Sequence, residues 1–198
     1  MADALFLSIL PVRGGGLRLA RMTDKSLWLL VVFVAVWAGV MDWRYRRIPN
    51  WLTLPATAVG LLVNAALGGW AGVKASLLGL GFGLLVLLPF VVLKAIGGGD
   101  WKLVGALGAF LGPNRVISVL IGSLIVAGAM ATVLVVGKGR VRQTLHNMAH
   151  LVRALMMLRM PPHEVSLDNP DAAKVPFGVA VAVTVILFGA GHWWGRLA

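Results

Sequence analysis

The sequence contains no cysteine among its 198 residues. That excludes disulfides, thiolate metal sites and cysteine nucleophiles, and says little about compartment. Charge is scarce as well: 13% of residues are charged, where a soluble domain carries about 25%. Acidic residues are the rarest class, with 7 Asp and Glu against 18 Lys and Arg, a formal net charge of +11. Between Lys25 and His163 only two carboxylates remain, Asp42 and Asp100. A positive excess of this size first suggests nucleic acid. The basic residues, however, fall mostly in the segments between apolar runs, form no basic face, and surround no recognition module, so no nucleic-acid partner is expected. In those positions Lys and Arg set membrane orientation and meet anionic lipid headgroups, which makes membrane lipids the expected surroundings.

What the chain has in abundance is apolar sequence, 59% of all residues. It comes in runs close to the length that about 30 Å of hydrocarbon requires. Six segments stand out: 27–41, 51–67, 75–93, 103–111, 116–136 and 175–194. The expected fold is therefore an all-α polytopic membrane protein with six transmembrane helices plus an amphipathic surface helix. Residues 1–26 form an N-terminal tail and 27–198 a six-helix membrane domain, with a cytoplasmic loop over 137–174. The run 27–41 is followed by Asp42, Trp43 and Arg44 rather than a small-residue cleavage site, so it reads as a retained helix and not a signal peptide. Arg13 to Gly16 reads as flexible. Pro49 stops helix one and Asn50 suits an N-cap for helix two. Gly112, Pro113 and Asn114 predict a tight turn. The segment 103–111 is short for a span, and a start at Gly99 or Asp100 would lengthen it. Gly79 with Gly83, and Gly108 with Gly112, have the small-xxx-small spacing of tightly packed helices.

Within the loop, 141–160 is amphipathic. Arg142, His146, His150 and Arg153 share one face, and Leu145, Met148, Val152, Leu155 and Met156 lie largely on the other, as in a helix lying on a membrane surface. His146 and His150 have the i,i+4 spacing of a metal pair, but no glutamate or third ligand accompanies them, so a solvated face is expected and no metal. The loops holding Arg44, Arg46 and Arg47, and Lys138, Arg140, Arg142, Arg153 and Arg159, share one parity across six spans, and their charge assigns that side to the cytoplasm. Arg13, Arg18, Arg21 and Lys25 in the tail oppose this assignment, and the two heavier loops outweigh them.

Asp42 and Asp100 each sit at the end of an apolar run, where a carboxylate is costly and marks a functional site. The same parity puts both at the cytoplasmic face. Around Asp100 the sequence reads Gly97-Gly98-Gly99-Asp100-Trp101-Lys102. Three glycines permit irregular backbone and the close approach of another chain; a hinge with an N-capping Asp and a snorkelling Lys fits the same residues.

Three motifs in chain order resemble the type IV prepilin peptidase family. Gly97-Gly98-Gly99-Asp100-Trp101-Lys102 matches its Gly-x-Gly-Asp-x-Lys. Asp42-Trp43-Arg44-Tyr45-Arg46-Arg47-Ile48-Pro49-Asn50 is similar to its first-aspartate motif. Pro176-Phe177-Gly178 resembles its late Pro-aromatic-Gly motif. The resemblance implies an aspartic endopeptidase of the bacterial inner membrane, with no cofactor, that removes the basic leader of prepilins or pseudopilins at the cytoplasmic face. Asp42 and Asp100 would be the catalytic pair. Gly97, Gly98, Gly99, Lys102, Arg44, Pro49, Asn50, Pro176, Phe177 and Gly178 would bind substrate or shape the site. The missing cysteines and the absence of a long insertion fit the compact, peptidase-only kind of tight-adherence pilus systems. Two carboxylates about 3 Å apart share one proton, one acting as general base on a water and the other as general acid, in an order the sequence leaves open. The alternative is a proton-coupled transporter using the same aspartates; against it, no inverted repeat is visible and both acids sit at one face.

Overall fold

In the computed structural model, residues 15–93, 96–137, 139, 146 and 175–194 are described, with side chains from Lys25 onward. Every described element is a helix. These are α1 (Gly15–Tyr45), α2 (Asn50–Val92), α3 (Gly98–Gly137) and α4 (Phe177–Trp193). Three are long and apolar enough to cross a membrane, over Lys25–Tyr45, Asn50–Val92 and Gly98–Gly137, and α4 is a shorter apolar helix. The expected amphipathic helix over 141–160 lies outside the described residues except for His146, as does the tail up to residue 14. Gly15 and Gly16, expected to be flexible, instead open α1. The residues that follow them, Leu17 to Met22, are good helix formers.

A straight helix of 43 residues would measure about 65 Å, twice the thickness of a hydrocarbon core. Neither α2 nor α3 is straight. Gly69 (φ 54, ψ −136) breaks α2. Gly112 (φ 71, ψ 176) breaks α3 just before Pro113, where the sequence predicts a turn. Both breaks use left-handed φ, which glycine adopts without a steric cost. Beyond the first break the chain doubles back so closely that a Cβ on Gly72 would collide with the Asn64 carbonyl.

The pairing of α2 with 98–111 gives the relative directions. Lys102 meets Asn50, and a Cβ on Gly60 would lie 3.0 Å from the Phe110 ring and backbone. Residues 50–68 therefore run parallel to 98–111. A Cβ on Gly79 would collide with the Gly108 carbonyl, and one on Gly83 would lie 2.9 Å from the Val104 carbonyl, so 70–92 runs back along the same helix. These are the small-residue pairs singled out in the sequence, and they serve tight packing. The end of 98–111 is held by side chains: Asn64 Nδ2 donates to the carbonyls of Ala109 (2.8 Å) and Phe110 (3.0 Å), and Ser76 Oγ donates to Ala109 (2.6 Å). Carbonyls freed by a helix break need such partners where water is excluded.

Helix α4 packs on α1 in the opposite sense. A Cβ on Gly39 would lie 2.9 Å from Ala182, and one on Gly189 would lie 3.1 Å from Val32. The main core joins Trp28, Val31, Ala35 and Ala38 of α1 to Leu103, Leu107 and Phe110 of α3 and Val181 and Val185 of α4. Some buried polar side chains are met within their own helices, as where Ser123 donates to Val119 and Thr184 to Ala180, whereas Ser76 reaches across to α3 and Thr53 Oγ1 finds no partner among the described residues. Large apolar side chains such as Phe33, Leu62, Leu85 and Val133 face outward instead. An apolar exterior on helices of this length belongs to an integral membrane protein.

Candidate active site

Asp42 lies in the last turn of α1, whose inner face carries Ala35 and Ala38 toward α4. It is 7% exposed. Its Oδ2 accepts a 2.9 Å hydrogen bond from the backbone N–H of Gly178. That N–H belongs to the first turn of α4, where backbone donors have no helical acceptor and favour a negative group. Gly178 must be a glycine for this approach. A Cβ there would lie 2.9 Å from Asp42 Cβ, 3.1 Å from Oδ2 and 3.1 Å from Ile48 Cδ1. Pro176 is buried and N-caps α4 with φ −72, and Phe177 packs against the core from the same turn.

Asp100 stands in the first turn of α3. Ile48 links it to the first acid: the Ile48 backbone lies 3.0 to 3.1 Å from where a Cβ of Gly99 would sit, and its Cδ1 lies 3.1 Å from where a Cβ of Gly178 would sit, next to Asp42. Asp100 Oδ1 is buried and finds no hydrogen-bond partner among the described residues. The two acids, far apart in sequence, thus share one end of the bundle. Trp101 Nε1 donates to the Leu84 carbonyl at 2.6 Å and ties the first turn of α3 to α2.

The three glycines before Asp100 differ. A Cβ on Gly97 would lie 3.0 Å from Asp100 Oδ2. One on Gly98 would meet nothing within 4 Å, and one on Gly99 would lie 3.0 to 3.1 Å from Ile48 Cβ, O and N. Gly98 and Gly99 are helical, and none of the three has a positive φ. What Gly99 provides is room for the backbone of residue 48.

Asn50 does not take the expected N-cap position. Pro49 (φ −76, ψ 148) occupies it, since its extended backbone and missing N–H suit the residue just outside a helix. Asn50 is the first helical residue, and its Oδ1 accepts from Lys102 Nζ at 2.8 Å. Lys102, expected to reach headgroups or substrate, is thereby joined to the 46–50 segment. Arg44 lies in the last turn of α1 with its side chain exposed. Arg46 follows with φ 53, its N–H bonding the Asp42 carbonyl at 2.9 Å.

Two contributors had no assigned role in the sequence: Ile48 and the backbone N–H of Gly178. Ile48 carried a usable cue, as an apolar β-branched residue alone among Arg44, Tyr45, Arg46 and Arg47. A backbone donor leaves no cue in side-chain identity.

Residues 28–132 match the model of the type IV leader peptidase family. The chain is 30% identical over 123 residues to a prepilin leader peptidase/N-methyltransferase of Xanthomonas campestris pv. campestris, covering 59% of this chain and 42% of that protein. It is 37% identical over 109 residues to a protein of the same description from Aeromonas hydrophila, covering 52% of this chain and 37% of that one. The chain thus matches about two fifths of the length of these curated relatives. No solved structure matches it.

Proposed function

This chain belongs to the type IV leader peptidase family, and from that membership we propose that it is a membrane-embedded aspartic endopeptidase. It removes the leader of prepilins or pseudopilins at the cytoplasmic face of the bacterial inner membrane. Asp42 and Asp100 are the catalytic pair. One carboxylate takes a proton from water as the water attacks the scissile carbonyl, and the other delivers a proton to the substrate. Six spans carry the site: α1, the two halves of α2, the two halves of α3, and α4.

The observation that carries this reading is the convergence of the two acids at one end of the bundle, where Ile48 touches both the Gly99 position beside Asp100 and the Gly178 position against Asp42. An oxygen of Asp100 that is buried and without a partner among the described residues is a second support, because such a group in a working protein calls for an explanation by function. The placement also argues against proton transport. Asp42 lies at the end of α1 and Asp100 at the start of α3, whereas transporter sites lie near the bilayer midplane.

The test is cleavage of a purified prepilin in detergent by wild type, Asp42→Asn and Asp100→Asn. A dyad acts as a unit and a carboxamide cannot serve as a base, so each variant should fold and lose essentially all cleavage. Activity above about a tenth of wild type in either one would sink the dyad.

A further inference from the structure

We propose that Ile48 is the spacer that sets the gap between the Asp42 and Asp100 carboxyl groups, and so is a positioning residue for cleavage. The proposal rests on the reading of these two acids as a cleaving pair.

The geometry is that of a wedge. Ile48 N, O and Cβ lie 3.0 to 3.1 Å from where a Cβ of Gly99 would sit, beside Asp100. Its Cδ1 lies 3.1 Å from where a Cβ of Gly178 would sit, and Asp42 Cβ lies 2.9 Å from that same point. One residue, through its backbone and Cβ at one end and its Cδ1 at the other, therefore reaches from the residue before Asp100 to the residue whose N–H holds Asp42. Two glycines make the room, and a methyl on either would push on Ile48.

The wedge is also stiff. A β-branched side chain has few rotamers. Its backbone is held on both sides. Arg46 bonds back to Asp42 from a left-handed conformation (φ 53), which costs a non-glycine residue about 1 kcal/mol and persists only where the surroundings impose it. On the other side Pro49 fixes its own φ, and Asn50 is bonded to Lys102. Ile48 is 7% exposed, whereas Arg46 and Arg47 beside it are exposed. An apolar residue buried between the first turns of α3 and α4, beside Asp100 on one side and the N–H that holds Asp42 on the other, keeps the acids from closing on each other and from drifting out of reach of one water.

The chain's lack of cysteine makes the gap measurable without catalysis. In the double substitution Asp42→Cys, Asp100→Cys, the rate of disulfide formation under a mild oxidant reports the approach of the two positions. Adding Ile48→Ala should raise that rate about fivefold or more, because a disulfide forms only at close Cβ separation. Ile48→Val keeps both Cγ positions and loses only the Cδ1 that reaches Gly178, so it should fall between. In the otherwise native protein, with a prepilin peptide spanning the leader junction as substrate, Ile48→Ala should lower kcat about 10- to 100-fold with KM within about threefold. Ile48→Val again falls between. Should Ile48→Ala fail to fold, Ile48→Val decides on both readouts. Unchanged disulfide rates, or a loss expressed in KM with kcat intact, would overturn the spacer. Cleavage persisting in Asp42→Asn or Asp100→Asn would instead overturn the peptidase reading, and the disulfide rates would still judge the spacer alone.

Discussion

Gly97, Gly98 and Gly99 are one residue type in a row, yet each meets a different neighbour. At Gly98 an added methyl has open space. At Gly99 it would press on Ile48 N, O and Cβ at 3.0 to 3.1 Å, two of them backbone atoms that cannot rotate away. Gly98→Ala should therefore cleave near wild type and melt no lower, since alanine restricts the unfolded chain and suits the start of a helix. Gly99→Ala must move either α3 or the 46–50 segment by a few tenths of an ångström. Such a shift at a reacting centre is expensive, because 1 Å of misplacement can cost about 100-fold in turnover. Gly99→Ala should fold, melt within a few degrees of wild type and lose most cleavage. Equal activity in the two alanine variants, measured on one prepilin substrate, would refute this account of the glycines.

Elements show a second division of labour, between helices that carry the acids and breaks that let them converge. The short helix 98–111 ends at Gly112 inside the bundle, and its last carbonyls are met by Asn64 and Ser76. Asn64→Leu keeps similar volume and removes the donor; Ser76 still meets the Ala109 carbonyl, but the Phe110 carbonyl loses its side-chain partner at about 1–3 kcal/mol. The expected result is a lower midpoint of thermal unfolding in detergent, with turnover per folded molecule preserved because Asn64 is remote from Asp100. An unchanged midpoint would mean that the carbonyls find other partners. This element level was largely legible in the sequence. Gly112-Pro113 marked a break, apolar segments marked each helical stretch, and a start near Gly99 lengthened the fourth. The Asn50 cap was misjudged, because a sequence gives cap propensity but not the competing pull of Lys102, fifty-two positions away. For the same reason the two aspartates could be named and assigned to one face, while the Gly178 N–H and the wedge of Ile48 could not. Both are contacts between distant segments, made through backbone atoms or through a side chain of no chemical distinction.

At the scale of the whole molecule, the decisive feature is that many large apolar side chains face out, over and above those that fill the core. Leu62, Leu85, Ile125 and Val133 are each more than half exposed, on a scale that in water would mark an interaction surface and in lipid is simply the solvent-facing side. The break at Gly69 then has a topological consequence. Residues 50–68 measure about 28 Å as a helix, close to one bilayer crossing. If they cross once and 70–92 crosses back, Tyr45 and Trp70 stand on opposite sides of the membrane. Both are well exposed, at 63% and 69%, and the chain has no cysteine of its own to confuse labelling. Arg44, Arg46 and Arg47 surround Tyr45, and clusters of this kind remain cytoplasmic. In sealed inverted vesicles an impermeant thiol reagent should therefore label Tyr45→Cys and leave Trp70→Cys untouched, with the pattern reversed in intact spheroplasts. Labelling of both positions from the same side would mean that α2 does not return across the bilayer as two spans. Reversal of the whole pattern would keep the hairpin but put Asp42 and Asp100 on the outer face, away from any leader presented in the cytoplasm.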